Sequence, residues 1–235
     1  MTIRTVHSRV ALDEGLTHLQ RDVRALASLV DVAIERSVRA LEHLDQELAR
    51  SVIEGDAKVN ELRFGVEERA IHLIATQQPI AGDLRLIISV LNIVVELERM
   101  GDYCVGIGKI VQLHEGKPLL KPLIDLPRMR DVVREMLGDA IDAFIARDPD
   151  KAEAVAVRDD EVDALYEQIY RELLTFMLSD PRTIDRATWL IWVAHNFERM
   201  GDRIQNICER TVFEVRGVLR EFTHGYRGGP EKPVS

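Results

Sequence analysis

The pentapeptide Glu-Arg-Met-Gly-Asp occurs twice, at 98–102 and again at 198–202. Upstream, Asp56-x-x-Val59-Asn60-x-Leu62 is answered by Asp159-x-x-Val162-Asp163-x-Leu165, and Gln78-Pro79 by Asp180-Pro181. The first pair is offset by 100 residues and the second by 103, a difference that a loop near the prolines absorbs. Repetition on this scale makes the 235-residue chain two copies of one unit, at 8–116 and 117–222, with a disordered Gly/Pro-rich tail expected at 223–235. Each unit reads as three helices. Apolar residues recur at helical spacing from Leu12 to about Leu44. Asp45 and Asp148-Pro149 supply the cap signals of a second helix, running to about Thr76 and Leu178. A third helix is expected to end near His114 and near Phe222, with Gly116-Lys117-Pro118 opening the linker and Pro122 and Pro127 beyond it. Strand signals are absent and aromatics make up only 5%. The fold class is therefore all-α, as two tandem three-helix bundles.

Antiparallel helices joined by a short turn place residues equidistant from the turn side by side. Pro79 and Pro181 lie about midway between the paired motifs of each copy, which sets both motifs roughly 30 Å from the hairpin tip at 1.5 Å per residue. Within each motif the polar residues are spaced i, i+4 and share a face. The first copy thus gathers Asp56, Asn60, Glu98 and Asp102, and the second Asp159, Asp163, Glu198 and Asp202. Leu91, Val95 and Val105 flank the first stripe, while Val90, Ile93, Leu97, Met100, Cys104 and Ile107 form a separate core seam. Acids on amphipathic helices are ordinarily a solvated face, and Arg99 and Arg199 offer plain salt bridges. Carboxylates crowded beside apolar groups, however, are costly without a compensating charge. Duplication of the pattern favours bound cations. Oxygen donors without thiolate spacing suit magnesium, calcium, manganese or iron better than structural zinc. His195, one turn from Glu198, reads first as a partly buried hydrogen-bonding residue. Gly101 and Gly201 remove a side chain where a neighbour or ligand approaches.

Other chemistries are disfavoured. The net charge of −9 repels nucleic acid and anionic membranes. Cys104 and Cys208 make neither a disulfide framework nor a four-cysteine zinc site and read as core residues. The Glu-x-x-His spacing of a di-iron bundle occurs only at Glu221–His224. Phosphate-loop, HExxH and nucleophile-elbow motifs are missing. Trp189 and Trp192 read as packing residues. No secretory h-region opens the chain and no apolar run reaches the roughly 20 residues of a membrane span, so a cytoplasmic location is expected, with membrane contact only through partners.

The motifs together, Asp56-x-x-Val59-Asn60-x-Leu62, Gln78-Pro79-x-Ala81-x-Asp83-Leu84-Arg85, both Glu-Arg-Met-Gly-Asp segments and Arg203-x-x-Asn206-Ile207, resemble the PhoU family over about residues 8–220. The resemblance implies metal held on the carboxylate positions named above, with iron, manganese, magnesium, calcium or zinc as the ion. It also implies a regulatory role in phosphate homeostasis: restraint of the phosphate ABC transporter, through its ATPase subunit, and of a sensor histidine kinase when phosphate is plentiful. A homodimer is the expected assembly. A metal-dependent phosphohydrolase and a metal store are the competing readings. The copies differ at Asn60, where the second has an acid, and at Gly106, where the second has Asn206.

Overall fold

The computed structural model describes residues 2–114 and 116–222; the expected tail at 223–235 lies outside them. The order is α1 (Thr2–His43), α2 (Gln46–Gln77), α3 (Ala81–Leu113), α4 (Asp125–Ala146), α5 (Pro149–Val157), α6 (Asp159–Ser179) and α7 (Ile184–Arg216), with a 3-10 turn over Pro181–Thr183 before α7. Among the described residues there is no strand. Helices α1, α2 and α3 form the first bundle, and α4, α5–α6 and α7 the second.

On α1 the buried residues Leu12, Leu16, Leu19, Val23, Leu26, Val30, Ile34, Val38 and Leu41 recur every three or four positions, the stripe that commits this helix to the core. The seam of Val90, Ile93, Leu97, Met100, Cys104 and Ile107 on α3 is fully buried. Both expected caps are present. The Asp45 carboxylate accepts from the Leu48 N–H at 2.9 Å, and Asp148 accepts from the N–H groups of Asp150 and Lys151 with Pro149 opening α5. Gln78, at φ 49°, ends α2 in front of Pro79.

Three boundaries differ from the sequence reading. The second helix of the second copy is broken in two, because the N–H of Arg158 bonds Val155 O and that of Glu161 bonds Arg158 O, a tighter turn than the α-helical one. Asp159, Asp160 and Glu161 then stand in a helical first turn, where negative charge is favoured. Helix α7 ends at Arg216 instead of near Phe222, since Gly217 takes φ 73° and returns its N–H to Phe213 O at 2.8 Å. Pro127 belongs to the first turn of α4, where its missing N–H breaks no hydrogen bond, and not to the linker.

The bundles meet along α3 and α7, with α1 against α4 beside them. Helices α3 and α7 run antiparallel: Arg85 Nε donates to Glu214 O at 3.1 Å, Ser89 Oγ to Arg210 O at 3.1 Å, and Asn206 Nδ2 to Glu96 Oε2 at 3.2 Å. Farther along, Gly106 faces the Asn196 amide. Position 106 corresponds to 206 and position 96 to 196, so the Gly106–Asn196 and Asn206–Glu96 contacts are one contact seen twice. A local twofold axis therefore passes at the level of Met100 and Met200.

Candidate metal centres

In the first copy α2 lies close against α3 at Gly101, where an added Cβ would stand 3.1 Å from Asp56 Oδ1. Asn60 Nδ2 donates to Asp56 Oδ2 at 2.7 Å, whereas Oδ1 is buried without a hydrogen-bond partner. Burial, and then the charge of Asp102, push the Asp56 carboxyl above the ordinary range, against the pull of Asn60 and Lys109. Glu98 carries a guanidinium: Arg63 Nη1 donates to its Oε1 at 3.0 Å, and Arg63 Nε donates to Glu67 Oε1 at 2.9 Å. Asp102 is exposed.

In the second copy the Asp159 side chain, 1% exposed, occupies the space above Gly201 so closely that a Cβ there would overlap its Oδ1. Glu198 lies on the same face as Asp202, and His195 Nδ1 stands 3.2 Å from Glu198 Oε2. Burial, then the charges of Asp202 and Asp163, raise the Glu198 carboxyl; His195 and Arg199 oppose this. Arg199 Nη1 is 2.9 Å from Asp202 Oδ2, and Arg203 Nη2 is 3.8 Å away. The Arg199 guanidinium also hydrogen-bonds the Tyr103 hydroxyl across the seam between the bundles.

Helix registry thus brings the two motifs of each copy to one level, as their distances from the prolines require. Whether the donors suit a metal ion is a question of charge and hardness. At the Gly101 and Gly201 contacts an aspartate of the second helix lies against the third, next to the acids of the Glu-x-x-x-Asp motif, and such an oxygen set suits a hard divalent cation. Among the described residues, however, no three His, Cys, Asp or Glu side chains stand together closely enough to chelate an ion as placed. Arg63, Arg199 and His195 stand against Glu98, Asp202 and Glu198 instead, so an incoming ion would have to displace them.

Sequence reasoning missed Arg63, although it follows Asn60 by one turn on the same face. It also missed the seam network, in which Glu96 accepts from Arg99 Nη1 at 3.3 Å, Arg203 Nη1 at 3.1 Å and Asn206 Nδ2 at 3.2 Å. Arg99 is spent there and not on the carboxylate cluster. His195, expected to be partly buried, has a 52% exposed side chain, because it lies on the outer edge of α7. Trp189 packs as expected, its ring 4.8 Å from that of His114 in an edge contact, but Trp192 is half exposed. Burial pushes the Cys208 thiol up to about 12 and that of Cys104 up as well, which leaves both as inert core residues. The Glu221–His224 spacing runs outside the described residues.

A family model described as the PhoU domain matches residues 23–111 and 126–211, one match per bundle. A phosphate-specific transport system accessory protein PhoU homolog of Aquifex aeolicus is 39% identical over 91% of this chain and 96% of its own length. The Caulobacter vibrioides homolog of the same name is 38% identical over 91% of this chain and 93% of its own. The crystal structure of PhoU from Pseudomonas aeruginosa superposes with a TM-score of 0.83 at 35% identity, covering 88% of this chain and 99% of that one. That of the phosphate transport system regulatory protein PhoU from Streptococcus pneumoniae gives 0.83 at 30% identity, covering 90% and 100%.

Proposed function

Because the chain belongs to the PhoU family, whose named relatives are accessory proteins of phosphate-specific transport, we propose that it regulates phosphate homeostasis by protein contact and without turnover. Its partners in this reading are the ATPase subunit of a phosphate ABC transporter and a sensor histidine kinase, both restrained when phosphate is plentiful. The observation that carries the reading is the match of both bundles to one accessory-protein family along nearly the whole chain. The seam supports it, since two bundles joined by α3 and α7 make a rigid surface of the kind a docking regulator presents. Among the described residues no helix is long and apolar enough to cross a membrane; in this reading the protein meets the membrane through its partners, from the cytoplasmic side.

The carboxylate positions Asp56, Asn60, Glu98 and Asp102, and Asp159, Asp163, Glu198 and Asp202, are the donors for divalent cations in this reading. A bound cation supplies charge neutralisation there. The chain's own part is to hold the acids level, through Gly101 and Gly201, so that one ion tethers the second and third helices of a bundle. Deletion of the protein is expected to leave phosphate-responsive genes switched on and uptake unrestrained in phosphate-rich medium; unchanged expression and uptake would overturn the proposal. Purified protein loaded with Mn²⁺ is expected to show no turnover of phosphate monoesters.

A further inference from the structure

We infer that the open groove where α3 passes α7, beside Trp192, is a docking site for an extended segment of a partner protein that carries an aromatic side chain next to a carboxylate. The inference rests on the contact reading above and gives that contact a place. The groove holds about 590 Å³ and is lined by Gly106, Lys109, Ile110, Leu113, Trp192 and Asn196. Ile110 is buried, whereas Leu113 and Trp192 are 49% and 51% exposed, so two large apolar side chains meet water side by side. Lys109 is exposed, and among the described residues lining the groove none is acidic.

The other half of the molecule shows what such a face accepts. The local twofold carries Lys109 to Glu209 and Asn196 to Glu96, whose charge reaches Glu209. There the chain turns at Gly217 and doubles back along α7. The Phe222 N–H donates to Glu209 Oε1 at 2.8 Å, its carbonyl accepts from Gln205 Nε2 at 3.3 Å, and its ring packs on the core. A non-helical segment bearing an aromatic ring thus covers that face of α7. The stretch after α3 does not repeat this. Lys117 Nζ stands 5.0 Å over the Trp189 ring and Arg186 Nη1 donates to Pro118 O at 3.4 Å, so the linker leaves along the start of α7 and the groove at Trp192 stays open. Glu209 takes an N–H from its segment, whereas Lys109 offers a positive charge, which selects a carboxylate in the incoming one. From Gly106 to Leu113 α3 rises about 10 Å, room for three or four extended residues.

The test is fluorescence anisotropy of the peptide fluoresceinyl-Val-Leu-Glu-Glu-Phe-amide, titrated with the full chain. The wild type is expected to bind it, and about tenfold more tightly than the same peptide with Lys-Lys for Glu-Glu or Ala for Phe. Lys109→Glu reverses a charge at contact distance from the incoming carboxylate and is expected to weaken binding roughly tenfold even with the screening of water. Trp192→Ala removes the apolar wall and is expected to weaken it by about as much. Arg21→Glu, at an exposed cation on α1, is expected to leave the affinity unchanged. All three variants alter exposed side chains, and circular dichroism confirms that each is folded. No binding by the wild type, equal binding of the acidic and basic peptides, or unchanged affinity in both groove variants overturns the inference. A fall in sedimenting mass on Lys109→Glu would give the groove to a second copy, and binding that appears only once residues 223–235 are removed would give it to the chain's own end; either result overturns it too. Each of these failures leaves the contact reading standing, since deletion of the protein is what tests that.

Discussion

Two glycines show how far local packing decides what a position tolerates. Gly101 and Gly201 occupy equivalent places, yet alanine is not equivalent at them. At Gly101 a new Cβ meets Asp56 Oδ1 at 3.1 Å and Val59 at 3.4 Å, a tight contact that asks Asp56 to give by a few tenths of an ångström. At Gly201 it overlaps the buried carboxylate of Asp159, with Val162 behind. Alanine gains roughly 0.5–1 kcal/mol of helix propensity, while overpacking costs about 1–3 kcal/mol. Gly201→Ala is thus expected to lower the thermal midpoint clearly, and by more than Gly101→Ala does, as calorimetry of the two variants reads directly. His114 carries a pH dependence. Burial, and then the charges of Arg186 and Lys117, lower its ring below the ordinary 6.5, against the hydrogen bond to Ile110 O. The unfolded chain therefore binds a proton that the folded chain refuses, and stability falls as pH drops below 6.5. His114→Phe is expected to flatten that slope in denaturant titrations run on either side of this pH.

At the scale of the helix, the second copy depends on a short piece. Helix α5 has nine residues, too few to persist without its tertiary contacts and its cap. Asp148→Ala removes the acceptor for two N–H groups and is expected to cost about 1 kcal/mol, seen as faster amide exchange over Asp150 and Lys151. That cap was legible in the sequence, as were Asp45, the breaks at Pro79 and Pro181, and the α3 core seam, because each is written in a few adjacent residues or in a period. The level pairing of Asp56 with Gly101 and of Asp159 with Gly201 was legible too, since hairpin arithmetic needs only distances from a turn. The split at Arg158 was not, because no proline or glycine marks it. The early end of α7 hangs on the φ of Gly217, which nearby apolar residues hid. Arg63 was within reach of the same face arithmetic that found Asn60. The Glu96 network was out of reach, since nothing in one helix's periodicity tells which helix of the other bundle it will face.

Across the whole molecule, the bundles are held by a lopsided seam. Arg203, 14% exposed, relies on Glu96, 13% exposed, and Glu96 also neutralises Arg99 beside it. Glu96→Ala leaves two arginines facing each other and is expected to cost about 1–3 kcal/mol. Both tryptophans lie on α7, and Trp189 packs on His114 at the end of α3, so their fluorescence reports the seam while circular dichroism reports all helices. The two signals are expected to melt together in the wild type, and an earlier fluorescence change in Glu96→Ala would show the seam opening before the helices melt. The twofold relation at Met100 and Met200 has a further consequence. A polypeptide of half the length, pairing with itself, would make this same joint with both sides alike, and every change would land on each side at once. Fusion into one chain lifts that restriction. Each half can then vary alone, with tyrosine at 103 and arginine at 203, glutamate at 96 and asparagine at 196, so that a joint of twofold geometry carries unlike residues on its two sides.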